Sequence, residues 1–60
     1  MEESTLWEII EGFSEDMDFT LVRWKHGWAA WFGEEPAFPK LCKARKEALI
    51  HSITKLKEKI

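Results

Sequence analysis

Few residues in this 60-residue chain are equipped for chemistry: the thiol of Cys42, the imidazoles of His26 and His51, and the paired carboxylates Glu34 and Glu35. Nucleophilic catalysis needs a thiol or hydroxyl held by a base that a third group orients. Cys42 and His51 stand nine residues apart, which on one helix puts them on opposite sides and out of reach of each other. A free cysteine ordinarily behaves as a small buried hydrophobe, and that is the expectation for Cys42. His26, followed by Gly27, reads as a turn residue, and Glu34-Glu35 as a solvated pair in a loop. A single cysteine rules out an intrachain disulfide. With two histidines outside any ligand spacing, the four tetrahedral ligands of a structural zinc are not expected either. No phosphate-binding loop is present. The residues thus point to no enzyme, no metal and no cofactor, but to a protein that works by binding.

Aromatic and charged side chains are the material for that binding. Four Trp and four Phe stand in 60 residues, and charged residues make up 33%. Large aromatics bury ~150–250 Å² each, so eight of them dominate any core or interface and argue against disorder. The net charge of −2 conceals a division along the chain. Glu2, Glu3, Glu8, Glu11, Glu15, Asp16 and Asp18 precede the first basic residue, whereas Lys40, Lys43, Arg45, Lys46, Lys55, Lys57 and Lys59 crowd the last third against only Glu47 and Glu58. An acidic front and a basic back can meet inside one fold, across a dimer or on a partner. Glu8, Glu11, Glu15, Asp16 and Asp18 form the candidate acidic patch for a partner.

Short elements must position these groups. Thr5-Leu6-Trp7-Glu8 fits a capping box, and Leu6, Ile9, Ile10 and Phe13 recur at helical spacing. This predicts a short helix over Leu6–Glu11, stopped at Gly12, with an acidic linker from Ser14 to Asp18. Phe19–Lys25 and Trp28–Phe32 are rich in β-formers, and His26-Gly27 between them predicts a hairpin with a two-residue turn. That register sets Lys25 opposite Trp28 and Leu21 opposite Phe32. One face then carries Thr20, Val22, Trp24, Ala29 and Trp31. The other carries Phe19, Leu21, Arg23, Lys25, Trp28, Ala30 and Phe32. After a loop over 33–38, Pro39 suits the first turn of a long helix reaching about Lys59. Its apolar stripe is Leu41, Cys42, Ala48, Leu49, Ile53, Leu56 and Ile60, with Ile50 at one edge and Arg45 inside.

The expectation is one α+β domain over 1–60, ordered helix, strand, strand, helix (αββα). A hairpin apolar on both faces needs a cover on each. One solution seats the long helix on the Trp24/Trp31 face and the short helix on the Phe19/Phe32 face, and leaves the strand edges unpaired. Pairing across a two-fold axis removes that liability, so a homodimer is expected. Phe19, Arg23, Lys25, Trp28, Phe32 and Arg45 are its candidate protein-interface residues. Arg45 has three solutions, snorkelling, stacking on a Trp, or pairing with an acid, and an interface pair is favoured. No apolar run approaches the ~20 residues of a membrane span. Met1-Glu2-Glu3 lacks the basic start of a signal peptide. A complete, cytoplasmic chain with a reduced thiol is expected.

The run Gly27-Trp28-Ala29-Ala30-Trp31-Phe32-Gly33, with Pro36, Pro39 and Leu41-Cys42-Lys43-Ala44, resembles small phage proteins of the "ABA sandwich" type over roughly residues 24–49. Arg45-Lys46-Glu47 departs from the Ala-rich continuation of that pattern. The resemblance implies a phage-encoded protein and, by analogy with tiny phage proteins, a stoichiometric inhibitor of a host protein such as a defence factor. The alternative is a nucleic-acid-binding module, with bases stacked on the hairpin aromatics and phosphates on Arg23, Lys25 and the lysines of the last helix. Seven early acids oppose it by repelling a phosphate backbone.

Overall fold

The computed structural model describes residues 2–59. Its elements are α1 (Glu3–Phe13), β1 (Phe19–Trp24), β2 (Gly27–Phe32) and α2 (Arg45–Lys59). This is the αββα order of an α+β protein, as the sequence predicts.

Helix α1 is longer at both ends than Leu6–Glu11. Glu2 is the N-cap, without a side-chain cap bond, so the Thr5 capping box does not form. Instead the amides of Thr5 and Leu6 donate to the Glu2 carbonyl, and the first turn carries Glu3 at the positive end of the helix dipole. At the other end the helix runs through Gly12. Ser14 closes it, its N–H bonding the Ile10 carbonyl and its hydroxyl the Glu11 carbonyl.

The hairpin pairs Phe19 with Phe32, Leu21 with Ala30, Arg23 with Trp28 and Trp24 with Gly27. Lys25-His26, not His26-Gly27, forms the turn, and the register is two residues away from the expected one. Side chains alternate with a period of two, so a two-residue slip leaves the membership of each face unchanged. One face carries Phe19, Leu21, Arg23, Trp28, Ala30 and Phe32, and the other carries Thr20, Val22, Trp24, Ala29 and Trp31.

The largest departure from expectation lies after β2. Pro39 does not start a helix, and α2 begins only at Arg45. Residues 39–42 run extended beside β2, and Cys42 bridges Trp28 through two backbone bonds, Trp28 N–H to Cys42 O and Cys42 N–H to Trp28 O, each 2.8 Å. The bridge satisfies outward-facing groups of β2 that would otherwise lie unpaired on a sheet edge. Its closeness explains Gly27, since a Cβ there would stand 2.7 Å from the Cys42 carbonyl oxygen, at a φ of +156°. Leu41 therefore leaves the expected stripe and is exposed, while Cys42 reaches the core from the bridge. Ile60, the last stripe residue, lies outside the described residues.

Both helices pack on the same face of the hairpin, not one on each. Leu6 and Ile10 of α1 and Leu49, Ile53 and Leu56 of α2 surround Phe32, with Phe19 and Leu21 packed against them. Ala30, Cys42 and Ala48 form a smaller cluster beneath Trp28. The Cα envelope is only 17 Å across its shortest axis, which fits one helix layer on one sheet layer. Stacking the helices on one side shares a single core between them, which a chain this short needs. Phe19 and Phe32, 5.0 Å apart between ring centres, meet Trp7 and Phe13 edge-on. Ser52, buried in α2, returns its hydroxyl to the Leu49 carbonyl at 2.7 Å.

The two glycines predict opposite stability effects. Nothing lies within 4 Å of a Cβ at Gly12, so Gly12→Ala gains about 0.5–1 kcal/mol from helix propensity. Gly27→Ala meets backbone at a strained φ, opens the Cys42 bridge and loses about 1–3 kcal/mol. Thermal or urea unfolding of both variants measures the difference.

Candidate functional site

The aromatic surface that remains open belongs to the face opposite the helices. Trp24 and Trp31 sit diagonally across the hairpin with ring centres 6.4 Å apart. Ala29, between them in the register, is 1% exposed, whereas Trp24 is 41% exposed. The extended 39–42 segment adds Leu41, 46% exposed, beside Gly27. Phe38, in the preceding loop, is 95% exposed. A single exposed hydrophobe is ordinary, whereas a contiguous apolar patch marks a contact surface.

The tip of the hairpin adjoins this surface. An open groove of about 250 Å³ there is lined by Arg23, Trp24, Lys25, His26, Gly27, Trp28 and Lys43. The strand pairing brings Arg23 opposite Trp28, and its guanidinium lies 5.2 Å from the indole centre. The Arg45 guanidinium approaches the same ring at 5.9 Å. Cations over indole faces are attracted by the ring quadrupole. A second cleft, of about 220 Å³, lies between β2 and α2, with Trp31, Pro36 and Leu56 among its walls. Both volumes fall below the ~300 Å³ at which enclosed small-molecule sites begin.

The candidate interface residues divide into two sets. Phe32 is buried in the main core and Phe19 is half-buried against it. These two serve packing, because the helices cover their face. Arg23, Lys25 and Arg45 are exposed, with Trp28 half-buried among them. Arg45 combines two of its three solutions within one chain. It stacks near Trp28 and hydrogen-bonds the Glu3 carboxylate. That ion pair joins the first turns of α1 and α2. It also sets a carboxylate beside two positive helix ends. The candidate acidic residues Glu8, Glu11, Glu15, Asp16 and Asp18 are all exposed. Glu8 and Asp16 flank an open surface over Ile9, Gly12 and Phe13.

The candidate interface residues named from the sequence lie on the charged face and leave out the exposed Trp24, Leu41 and Phe38. The available signal was the position of Arg23 and Lys25 at the tip end of their face, where a long side chain clears a core built at the other end. Cys42 is buried with its backbone in the bridge, and His51 is half-buried on α2. Among the described residues, no cluster of His, Cys, Asp and Glu has a metal-binding arrangement, and no helix is long and apolar enough to cross a membrane. No family model matches the chain, and no curated protein or solved structure matches it either.

Two groups carry shifted protonation. The Arg45 hydrogen bond, aided by the Arg45 charge, holds the Glu3 carboxyl below its ordinary 4.5. Burial, then the charges of Lys40 and Lys55, holds His51 below its ordinary 6.5. In both cases the unfolded chain binds the proton more readily, so acid favours unfolding. The His51 contribution is complete above pH 6.5 and is lost on going lower, and that of Glu3 is complete above 4.5 and lost below it. Stability against pH therefore falls in two stages. His51→Gln removes the upper stage and Glu3→Gln the lower, as denaturant melts from neutral to acid pH measure.

Proposed function

We propose that the chain is a non-enzymatic binding protein that acts by stoichiometric contact with another protein, as a homodimer in a cytoplasmic setting. The supporting observation is the second hairpin face, where Trp24 and Leu41 are exposed beside a half-buried Trp31. Trp is enriched at the energetic centres of protein interfaces, surrounded by a polar rim. Here Arg23, Lys25 and Lys43 supply a cationic rim at the tip, so the partner surface is apolar with acidic margins. The resemblance to small phage proteins gives this reading its specific form, a phage-encoded inhibitor that occupies a host protein such as a defence factor.

A nucleic-acid reading draws on the same groove, because Trp24 beside Arg23, Lys25 and Lys43 suits a stacked base with its phosphates. Salt separates the two, since phosphate binding weakens steeply with ionic strength and apolar protein contact does not.

The test is affinity capture from the natural host with three baits: the wild-type chain, Trp24→Ala/Leu41→Ala, and Ile50→Ala as an exposed apolar control on α2. The expected result is one host protein held in fixed stoichiometry by wild type and Ile50→Ala, resistant to moderate salt, and reduced at least tenfold with the double variant. Nucleic acid in the eluate that disappears with salt contradicts the protein reading, as does retention of the same protein by all three baits.

A further inference from the structure

The two edges of the hairpin differ. In an antiparallel pair, residues alternate between exchanging hydrogen bonds with the partner strand and pointing those groups outward. The Gly33 amide donates to the Asp18 carbonyl, in line with the strand register. This phase turns the outward groups of β2 to Trp28, Ala30 and Phe32, and Trp28 spends its pair on Cys42. The same phase turns outward the N–H and C=O of Phe19, Leu21 and Arg23 in β1. Among the described residues these make no backbone bond outside the hairpin. Within β1 there is no proline and no bulge, and Arg23 is its only charge.

The charges around β1 are ordered. Glu15, Asp16 and Asp18 precede it, and Arg23 and Lys25 close it. All five side chains are exposed. Antiparallel pairing with a second copy sets acidic start against basic end twice over, whereas parallel pairing sets like against like. The match is built into one strand and needs no other partner to explain it.

We infer that β1 pairs antiparallel with β1 of a second copy, about a two-fold axis through Leu21, to form a four-stranded sheet β2-β1-β1-β2. Outward-facing residues then meet: Leu21 pairs with its own copy and Phe19 with Arg23 of the other chain. Thr20 faces Val22, and Lys25 arrives opposite Met17, between Asp16 and Asp18. The same operation continues the open face through the dimer, with Trp24 and Trp31 of both copies on one side. The inference rests on the homodimer reading and specifies its edge, register and charge pairing.

Sedimentation equilibrium on four chains tests it: wild type, Lys25→Glu, Asp16→Lys/Asp18→Lys, and the triple variant joining both changes. These residues are exposed and outside the core, and circular dichroism verifies folding. Wild type is expected to dimerise. Each single reversal acts twice across the axis and weakens the dimer about tenfold, and the triple variant regains most of the loss. A wild-type chain that stays monomeric at high micromolar concentration overturns both the homodimer and the edge. A dimer whose dissociation constant ignores the reversals, or is not restored by the triple variant, keeps the homodimer and overturns the β1 edge.

Discussion

The pair of hydrogen bonds between Trp28 and Cys42 organises the rest of the molecule. A two-stranded hairpin has two edges and two faces, and 60 residues cannot cover them all. By tying the 39–42 segment to β2, the bridge seals one edge and delivers the Cys42 side chain to the core. It also fixes the point from which α2 departs. From there α2 returns along the face that α1 also covers. One core results, shared by both helices, and one bare face opposite. Gly27 is the local cost of this arrangement, because no Cβ fits where the two backbones meet.

Electrostatics then decides how the helices sit. Arg45 begins α2, where a cation opposes the helix dipole. The Glu3 carboxylate, in the first turn of α1, offsets both that charge and the positive ends of the two helices that meet there. The early start of α1 makes this contact available. The acids of the chain's front and the bases of its back therefore meet inside one protomer at Glu3–Arg45. Of the remaining charges, Glu15, Asp16 and Asp18 before β1 and Arg23 and Lys25 at its end stay exposed.

Much of this was legible in the sequence. The element types, their order and the membership of the hairpin faces follow from periodicity, and the burial of Cys42 from the habit of a free thiol. The hairpin register did not follow from the turn residues, because Lys25-His26 and His26-Gly27 are both plausible two-residue turns and either preserves the faces. The start of α2 did not follow either, since Leu41 and Cys42 continue a helical stripe as well as they fit an extended segment. The choice is made by a long-range backbone bond to Trp28, which no local pattern records. The expected interface residue Phe32 is core, Phe19 packs half-buried against it, and Trp24 of the other face is left outside.

The central claim is that one hairpin edge is sealed within the protomer and the other is left for a second copy. Residue-resolved amide hydrogen exchange at several protein concentrations tests it most directly. The Trp28 and Cys42 amides are expected to be protected at every concentration, while those of Phe19, Leu21 and Arg23 exchange freely in dilute protein and slow as it is concentrated. Free exchange at Trp28 and Cys42, or protection of the β1 amides that does not change with concentration, would contradict the account.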